Sequence, residues 1–309
     1  AIHRMNYAKG SVFGLILLLP AAVAFLFDLL SGKDRVGNTT VKPFGTDESK
    51  AKRIVACVIL CIIVAAVLLP ILSFIPVALS ENYPIDKSFS LRQFSYVMGS
   101  KNGLEYLSHS VIVALIVALV GTLCAFVCAY VTARIKSPAS KVLHLLSITS
   151  LAIPGIVLGL SYVLFFKTSF IYGTFAIIIL VNIIHFFASP YLMVYNSLRK
   201  LPPELEAVGA TLGIGKVRLL RDVIIPQTAG TLCEMFAYFF VNSMMTISAV
   251  SFLTNYKTEL FALMLPQFDA SQTSLAPPAI VALIILFVNL LMKGIIGLLK
   301  GKFRRSGSR

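Results

Sequence analysis

Residues 196–226 read Asn-Ser-Leu-Arg-Lys-Leu-Pro-Pro-Glu-Leu-Glu-Ala-Val-Gly-Ala-Thr-Leu-Gly-Ile-Gly-Lys-Val-Arg-Leu-Leu-Arg-Asp-Val-Ile-Ile-Pro. They form the one long, charged, helix-competent segment between two apolar runs that are each long enough to cross a bilayer. Pro202 and Pro203 suit a helix start, because a first-turn proline gives up an amide that has no intrahelical partner. Glu204 and Glu206 follow, where carboxylates complement the positive end of the helix dipole. Leu201, Leu205, Val208 and Leu212 recur at helical spacing, which predicts a short amphipathic helix from about Pro202 to Leu212. Gly213 and Gly215 permit a sharp turn, and a basic segment from Lys216 to Asp222 leads to Pro226 and the next apolar run.

Outward from this loop the chain is a series of apolar runs. Ser11 to Leu30 and Ile54 to Leu79 come first, the second carrying Pro70 and Pro76 near its far end. Ser80 to Glu105 is amphiphilic, with Tyr83, Phe89, Phe94 and Tyr96 suited to a membrane interface. Further runs lie at about Tyr106 to Val131, Val142 to Phe166, Thr174 to Tyr195, Gln227 to Leu253 and Pro278 to Leu299. The expected fold is therefore an all-α polytopic membrane protein with seven spans.

Composition agrees. The chain is 58% hydrophobic and 13% charged, with mean hydropathy +0.89, which excludes an ordinary soluble domain carrying about 25% charged residues. A net charge of +14 would suit nucleic acid, but the charges are confined to loops, so no nucleic-acid partner is expected. Placing residues 31–53, 132–141, 196–226 and 300–309 inside, with Lys293 at the inner end of the last span, assigns twenty Lys and Arg to the cytoplasm and seven outside. The positive-inside rule then fixes an inward carboxyl terminus. Cys57, Cys61, Cys124, Cys128 and Cys233 lie in apolar runs and read as packing residues. No histidine sits at metal-ligand spacing, so no metal site is expected. Gly215-Lys216 imitates the end of a phosphate-binding loop, but Ala210 and Val217 stand where a glycine and a Ser or Thr are needed. No catalytic constellation stands out; energy for any transport must come from a partner.

The segment at 201–226 resembles the cytoplasmic coupling loop of permease subunits of binding-protein-dependent ABC importers. The family pattern is Glu-Ala-Ala, three residues, Gly, nine residues, Ile, one residue, Leu-Pro. Anchored on Gly213, nine residues lead to Val223, then Ile224, then Ile225-Pro226. The Glu-Ala-Ala positions fall on Ala207, Val208 and Gly209, with the acidic residue one place early at Glu206. The resemblance covers roughly Ile54 to Leu299 and implies ATPase-coupling roles for Glu204, Glu206, Ala207, Val208, Gly209, Gly213, Val223, Ile225 and Pro226. It implies a cytoplasmic ABC ATPase dimer that carries ATP and Mg, leaving no cofactor on this chain. It also implies a second permease half, an extracytoplasmic solute-binding protein and a bacterial inner-membrane location. Seven spans with an inward carboxyl terminus put the amino terminus outside. The expectation is that residues 1–30 hold the last span of a preceding half (or an extra span) and 31–53 a cytoplasmic linker. Residues 54–299 would then be a six-span permease domain and 300–309 a basic tail, as in iron-type and 2-aminoethylphosphonate-type permeases.

A transported solute needs a polar stripe through hydrocarbon, since polar side chains facing lipid are expensive. Glu234, Tyr238, Asn242 and Thr246 stand at successive i+4 steps and share one helical face. They read as path lining, or as interhelical glue, with Glu234 alternatively hydrated near the inner interface. Asn182 and His185 lie at i,i+3, with Ser189 a turn further on, and are either path residues or satisfied packing. Ser243 and Ser248 fall off the stripe and read as packing. Gly155 and Gly159 make a Gly-x-x-x-Gly step after Pro154, read as close helix contact. Thr258 to Phe268 is expected to be a short external helix facing the binding protein. A secondary transporter or channel without an ATPase is the alternative function; the solute is not legible.

Overall fold

The computed structural model describes residues 50–135, 137–269 and 274–306, with Val12, Ile16, Leu19, Pro20 and Val23, all helical. The expected first span and most of the linker lie outside the described residues. Helix α1 spans Lys50–Ala78 and is apolar on every side. A hairpin follows, β1 Ser80–Asn82 against β2 Asp86–Phe89, antiparallel with Ser80 opposite Phe89. The short α2, Arg92–Ser95, and a π turn at Tyr96–Ser100 lead into α3, Gly103–Arg134. Then come α4 Pro138–Ile148, a 3-10 turn Thr149–Ala152, α5 Gly155–Phe166, α6 Phe175–His185 and α7 Ala188–Arg199. The loop between the apolar runs holds α8 Leu205–Thr211 and α9 Lys216–Leu219, the latter passing through a π turn into α10 Ile225–Met245. A 3-10 turn at Phe261–Leu263, α11 Met264–Asp269 and α12 Ala276–Ser306 complete the order.

Among the described residues four helices are long and apolar enough to cross a membrane, or six if each of two bent pairs is one span. The bends divide the expected spans Val142 to Phe166 and Thr174 to Tyr195. The first pair turns by 110° between Ala152 and Gly155. Pro154 causes it: its ring forces Ile153 into extended backbone, and Pro154 itself sits at φ −59, ψ 138. The second pair bends by 51° at Phe186 and Phe187. Pro190 lies in the first turn of α7, where its ring would collide with the carbonyl of Phe186 in a continuous helix.

The core is organised on α3. Ala114, Ala118, Gly121, Ala125 and Ala129 make a small-residue stripe that lets neighbours approach closely. Phe239 of α10 fills that stripe; a β-carbon on Gly121 would meet its ring at 2.9 Å. Helix α10 packs on α3, α7 and α12, whereas α1 leans chiefly on α12. The expected span Gln227 to Leu253 stops at Met245. Beyond it Ala249, Val250 and Leu253 are buried as turns, with the Ala249 carbonyl pressed against α5 so closely that a β-carbon on Gly159 would sit 2.5 Å away. The Gly155–Gly159 step is thus a close contact between α5 and this irregular segment.

A second core joins Ala78, Val97, Phe261, Ala262, Met264 and Phe268 to Ala279, Ile280 and Val281 of α12. It corrects the reading of Thr258 to Phe268 as one external helix. Its apolar side chains are built into the bundle, and the Phe261 amide donates to Ser110 Oγ of α3 at 2.8 Å.

Candidate functional site

The loop at 196–226 folds back on the end of the bundle. Its helix begins at Leu205 rather than Pro202, because Pro203 disfavours helical backbone at Pro202. The first helical hydrogen bond runs from the Val208 amide to the Glu204 carbonyl, 2.9 Å. The helix ends in a complete Schellman motif: the Ile214 amide reaches the Gly209 carbonyl at 2.8 Å and the Gly213 amide reaches that of Ala210 at 3.1 Å. Gly213 sits at φ +70, which a side chain would strain.

The face turned to the protein carries Leu205, Glu206 and Gly209, which corrects the simple amphipathic pattern. A β-carbon on Gly209 would lie 3.3 Å from Leu219 Cδ2, so this glycine sets how closely α8 rides on α9. Val208 is 51% exposed, Leu212 69% and the neighbouring Val217 81%. Those three give the loop an exposed apolar strip, flanked by exposed Glu204 and Ala207.

Behind the strip stands a residue that the sequence reading missed. Arg134, the last residue of α3, is 8% exposed in its side chain and pairs with Glu206, 26% exposed, at 3.3 Å from Nε to Oε1. Its Nη1 donates to the Pro202 carbonyl at 3.1 Å. Tyr130, one turn earlier, lies beside the same carboxylate. One buried guanidinium therefore holds both the entry to α8 and its first turn. In the sequence Arg134 is one more basic residue at the end of a span.

At the other end of the loop, Pro226 lacks an amide hydrogen and crowds the carbonyl four residues back, at Asp222. The chain answers by widening into the π turn Leu220–Ile224. Ile224 is buried and Val223 half-buried, while Ile225 and Pro226 stay exposed.

The polar stripe on α10 is interrupted. Glu234 is half-exposed and ion-paired with Lys300 of α12, whose stem lies over Gly230. That arrangement favours the hydrated alternative for Glu234 over a path-lining carboxylate. Tyr238 and Asn242 are half-buried, and Asn242 Nδ2 donates to the Tyr238 carbonyl at 2.8 Å. Thr246 lies just past the helix end at φ −67, ψ 127, and its hydroxyl donates back to Asn242, 2.9 Å. The stripe is continuous from Tyr238 to Thr246, but its last member is a terminator and not a helical residue.

Asn182 is fully buried; its amide nitrogen donates to the Ile178 carbonyl at 2.9 Å, leaving Oδ1 without a partner. His185 ends α6 at the bend, with Nδ1 buried and unpartnered. Its Nε2 lies 2.9 Å, and Ser248 Oγ 2.6 Å, from where a β-carbon on Gly155 would stand. His185 and Ser248 thus meet beside Gly155 at the bend. Ser248 packs its hydroxyl against the start of α5. Among the described residues no three His, Cys, Asp or Glu side chains converge as metal ligands would.

Apolar helices packed around polar interruptions, with a helical loop pinned at one end, define a polytopic membrane protein. The chain belongs to the family described as binding-protein-dependent transport system inner membrane component, whose model matches residues 120–305. Over 191 residues it is 27% identical to the sulfate transport system permease protein CysT of Salmonella typhimurium, covering 56% of this chain and 67% of that one. Its backbone also matches a solved bacterial ABC transporter involved in the import of the acidic polysaccharide alginate. The TM-score is 0.63 at 13% identity, over 84% of this chain and 99% of the other, a likeness of fold. The protein is accordingly the permease subunit of an ABC importer and forms the translocation path.

Proposed function

We propose that residues 201–226 are the surface through which a cytoplasmic ATPase dimer drives this permease. ATP and Mg are held by that partner, and this chain is non-catalytic. The observation that carries the reading is the exposed apolar strip Val208, Leu212 and Val217 on a helix pinned from behind by Arg134. Such a strip favours a partner's cover, and a pinned helix passes a push to the bundle as a rigid body. Glu204 and Ala207 flank the strip, Glu206 and Gly209 fix the helix to the bundle, and Gly213 ends it. Val223, Ile225 and Pro226 tie the loop to α10.

The charge distribution supports a bacterial inner-membrane protein with its loop and carboxyl terminus in the cytoplasm. In this reading residues 54–299 are a six-span domain, 300–309 a basic cytoplasmic tail, and 31–53 a cytoplasmic linker from a span within 1–30. A second permease half, fused or separate, completes the path, and an extracytoplasmic solute-binding protein delivers the solute from the opposite face. Asn182, His185, Tyr238, Asn242 and Thr246 line the path, with Glu234 at its inner mouth. The test is co-purification of a cytoplasmic ABC ATPase co-expressed with this chain, together with solute uptake. Gly213→Pro, and Glu206→Lys combined with Gly209→Leu, should abolish both while leaving membrane insertion intact. Normal ATPase recovery from these variants would count against the reading.

A further inference from the structure

Helix α1 is apolar on every side, and from Lys50 to Pro76 none of its residues is buried. A helix apolar all round and left open in this way suits contact with lipid. Along its first turns runs a groove of about 530 Å³ lined from Arg53 to Ala65, chiefly by Cys57, Val58, Cys61 and Ile62. The short side chains of Cys57, Cys61 and Ala65 leave the space, which Val58 and Ile62 border. Arg53 is the one charged residue of the lining and stands at its end, where the apolar run begins.

Positive charge gathers at that end. Lys50, Lys52 and Arg53 fall within one helical turn, and no carboxylate occurs from Lys50 to Ala78. Among the described residues no carboxylate pairs with Lys50 or Arg53. Ala78 shares a core with Ala279, Ile280 and Val281 at the start of α12, and α1 leans on that helix, so the two run antiparallel from a common level. At about 1.5 Å per residue, Arg53 and Arg305 then reach the same depth. From Lys293 to Ser306, α12 also lacks a carboxylate; Lys300 is paired with Glu234, and Lys302, Arg304 and Arg305 follow it. The positive-inside rule accounts for cations in loops, whereas Arg53 lines an apolar groove. An apolar groove ending in cations matches an acyl chain below an anionic headgroup. Lys and Arg just cytoplasmic of a span attract anionic lipid, about fivefold per residue near the surface. The first apolar run matches less well: its described residues Val12, Ile16, Leu19 and Val23 are each more than half exposed, so that face does not cover α1.

We infer that the α1 groove binds an anionic phospholipid of the cytoplasmic leaflet, with an acyl chain along Cys57, Val58, Cys61 and Ile62 and the phosphate against Arg53 and Lys50. The inference rests on the cytoplasmic placement of residues 31–53 proposed above.

The test uses the full chain in nanodiscs of phosphatidylcholine and phosphatidylglycerol, with bromine on the acyl chains of one lipid or the other. The chain has no tryptophan, so Ile62→Trp reports on the groove and Ile63→Trp on the opposite side of α1 at nearly the same depth. Brominated phosphatidylglycerol should quench Ile62→Trp saturably, and more strongly than brominated phosphatidylcholine at equal mole fraction, with no such preference at Ile63→Trp. Adding Arg53→Gln or Lys50→Gln should weaken the preference about fivefold. Equal quenching by the two lipids, an equal preference at both reporters, or a preference untouched by Arg53→Gln overturns the assignment. Protection of Ile62→Trp from both lipids also overturns it, and gives the groove to another helix, from residues 11–30 or from a second copy of the chain. Orientation is read separately, by labelling Ser306→Cys with an impermeant maleimide in intact cells. Labelling above the level of the unsubstituted chain overturns the cytoplasmic placement and with it the leaflet, while the lipid preference in nanodiscs stands or falls on its own.

Discussion

Replacing Arg134 with Met removes the guanidinium that joins α3 to the start of α8 and keeps most of its packing volume. The loss can be sized from the contacts. Breaking a fully buried ion pair costs about 3–5 kcal/mol. Here the Nε–Oε1 contact at 3.3 Å lacks hydrogen-bond geometry, and Nη2 is unpartnered. Glu206 is also one-quarter exposed and will be partly rehydrated. Adding the lost bond to the Pro202 carbonyl, the expected local cost is about 2 kcal/mol, near the range for a charged hydrogen bond. At about tenfold per 1.4 kcal/mol, amides of residues 205–214 should exchange about thirtyfold faster in the full chain, with protection in α3 and α10 unchanged. The double variant Arg134→Met with Glu206→Gln removes the stranded charge and should recover about half of that effect. If the two changes are simply additive, the pair has no interaction energy and the pinning argument fails.

Further expectations follow from other contacts. Gly213→Ala places a side chain at φ +70 and should destabilise the loop by about 1 kcal/mol, visible as faster exchange of the Ile214 amide with an unchanged melting temperature. Gly159→Ala drives a β-carbon against the Ala249 carbonyl, whose backbone cannot rotate away, so thermal stability of the purified chain should fall by about 1–3 kcal/mol. Unchanged stability would mean that α5 and the 246–253 segment are not held together. Tyr191→Phe removes the hydroxyl that lies 2.6 Å from His144 Nδ1 and 2.8 Å from Thr132 Oγ1, while Thr132 keeps its bond to the Cys128 carbonyl, and should cost about 1 kcal/mol in the same assay. In the hairpin, bonds from the Ser90 hydroxyl and the Arg92 guanidinium hold the Glu81 carboxyl below its usual value. Because the folded value is depressed, the stabilisation is present at and above the ordinary carboxylate range and is lost as pH falls through the lowered value. Nuclear magnetic resonance of the Arg92 side chain should report that loss, and Glu81→Gln should flatten the pH response.

Helix spans were legible because bilayer thickness writes itself into run length and because lysine and arginine mark the loops. Bends were not, although their agents were in view: Pro154 and Pro190 act through the residue before them and the carbonyl four back, effects that a window average conceals. The turn at Gly213 was legible from residue type alone, since the αL position there suits glycine. The start of α8 falls three residues past Pro202 because the second member of the Pro-Pro pair bars helical backbone at the first. Helical spacing named Val208 and Leu212 as apolar but could not tell inward from outward. That depends on Arg134, more than sixty residues away, drawing Glu206 to the inner side. The partners of Ser248 are hidden in the sequence for the same reason: Gly155 and His185 are brought near it only by two bends and a helix end.

Helix α3 has 32 residues and is therefore about 48 Å long, with an anchor at each end. Arg134 grips residues 202–206 at one tip, while Ser110 and His109 hold the backbone of Phe261 and Glu259 near the other. No proline interrupts it between those anchors. A stiff rod fastened this way behaves as a seesaw beam. Any tilt imposed at the tip near Arg134 reappears, reversed in direction, where the 259–261 turn meets the opposite face, without a joint in between to absorb it.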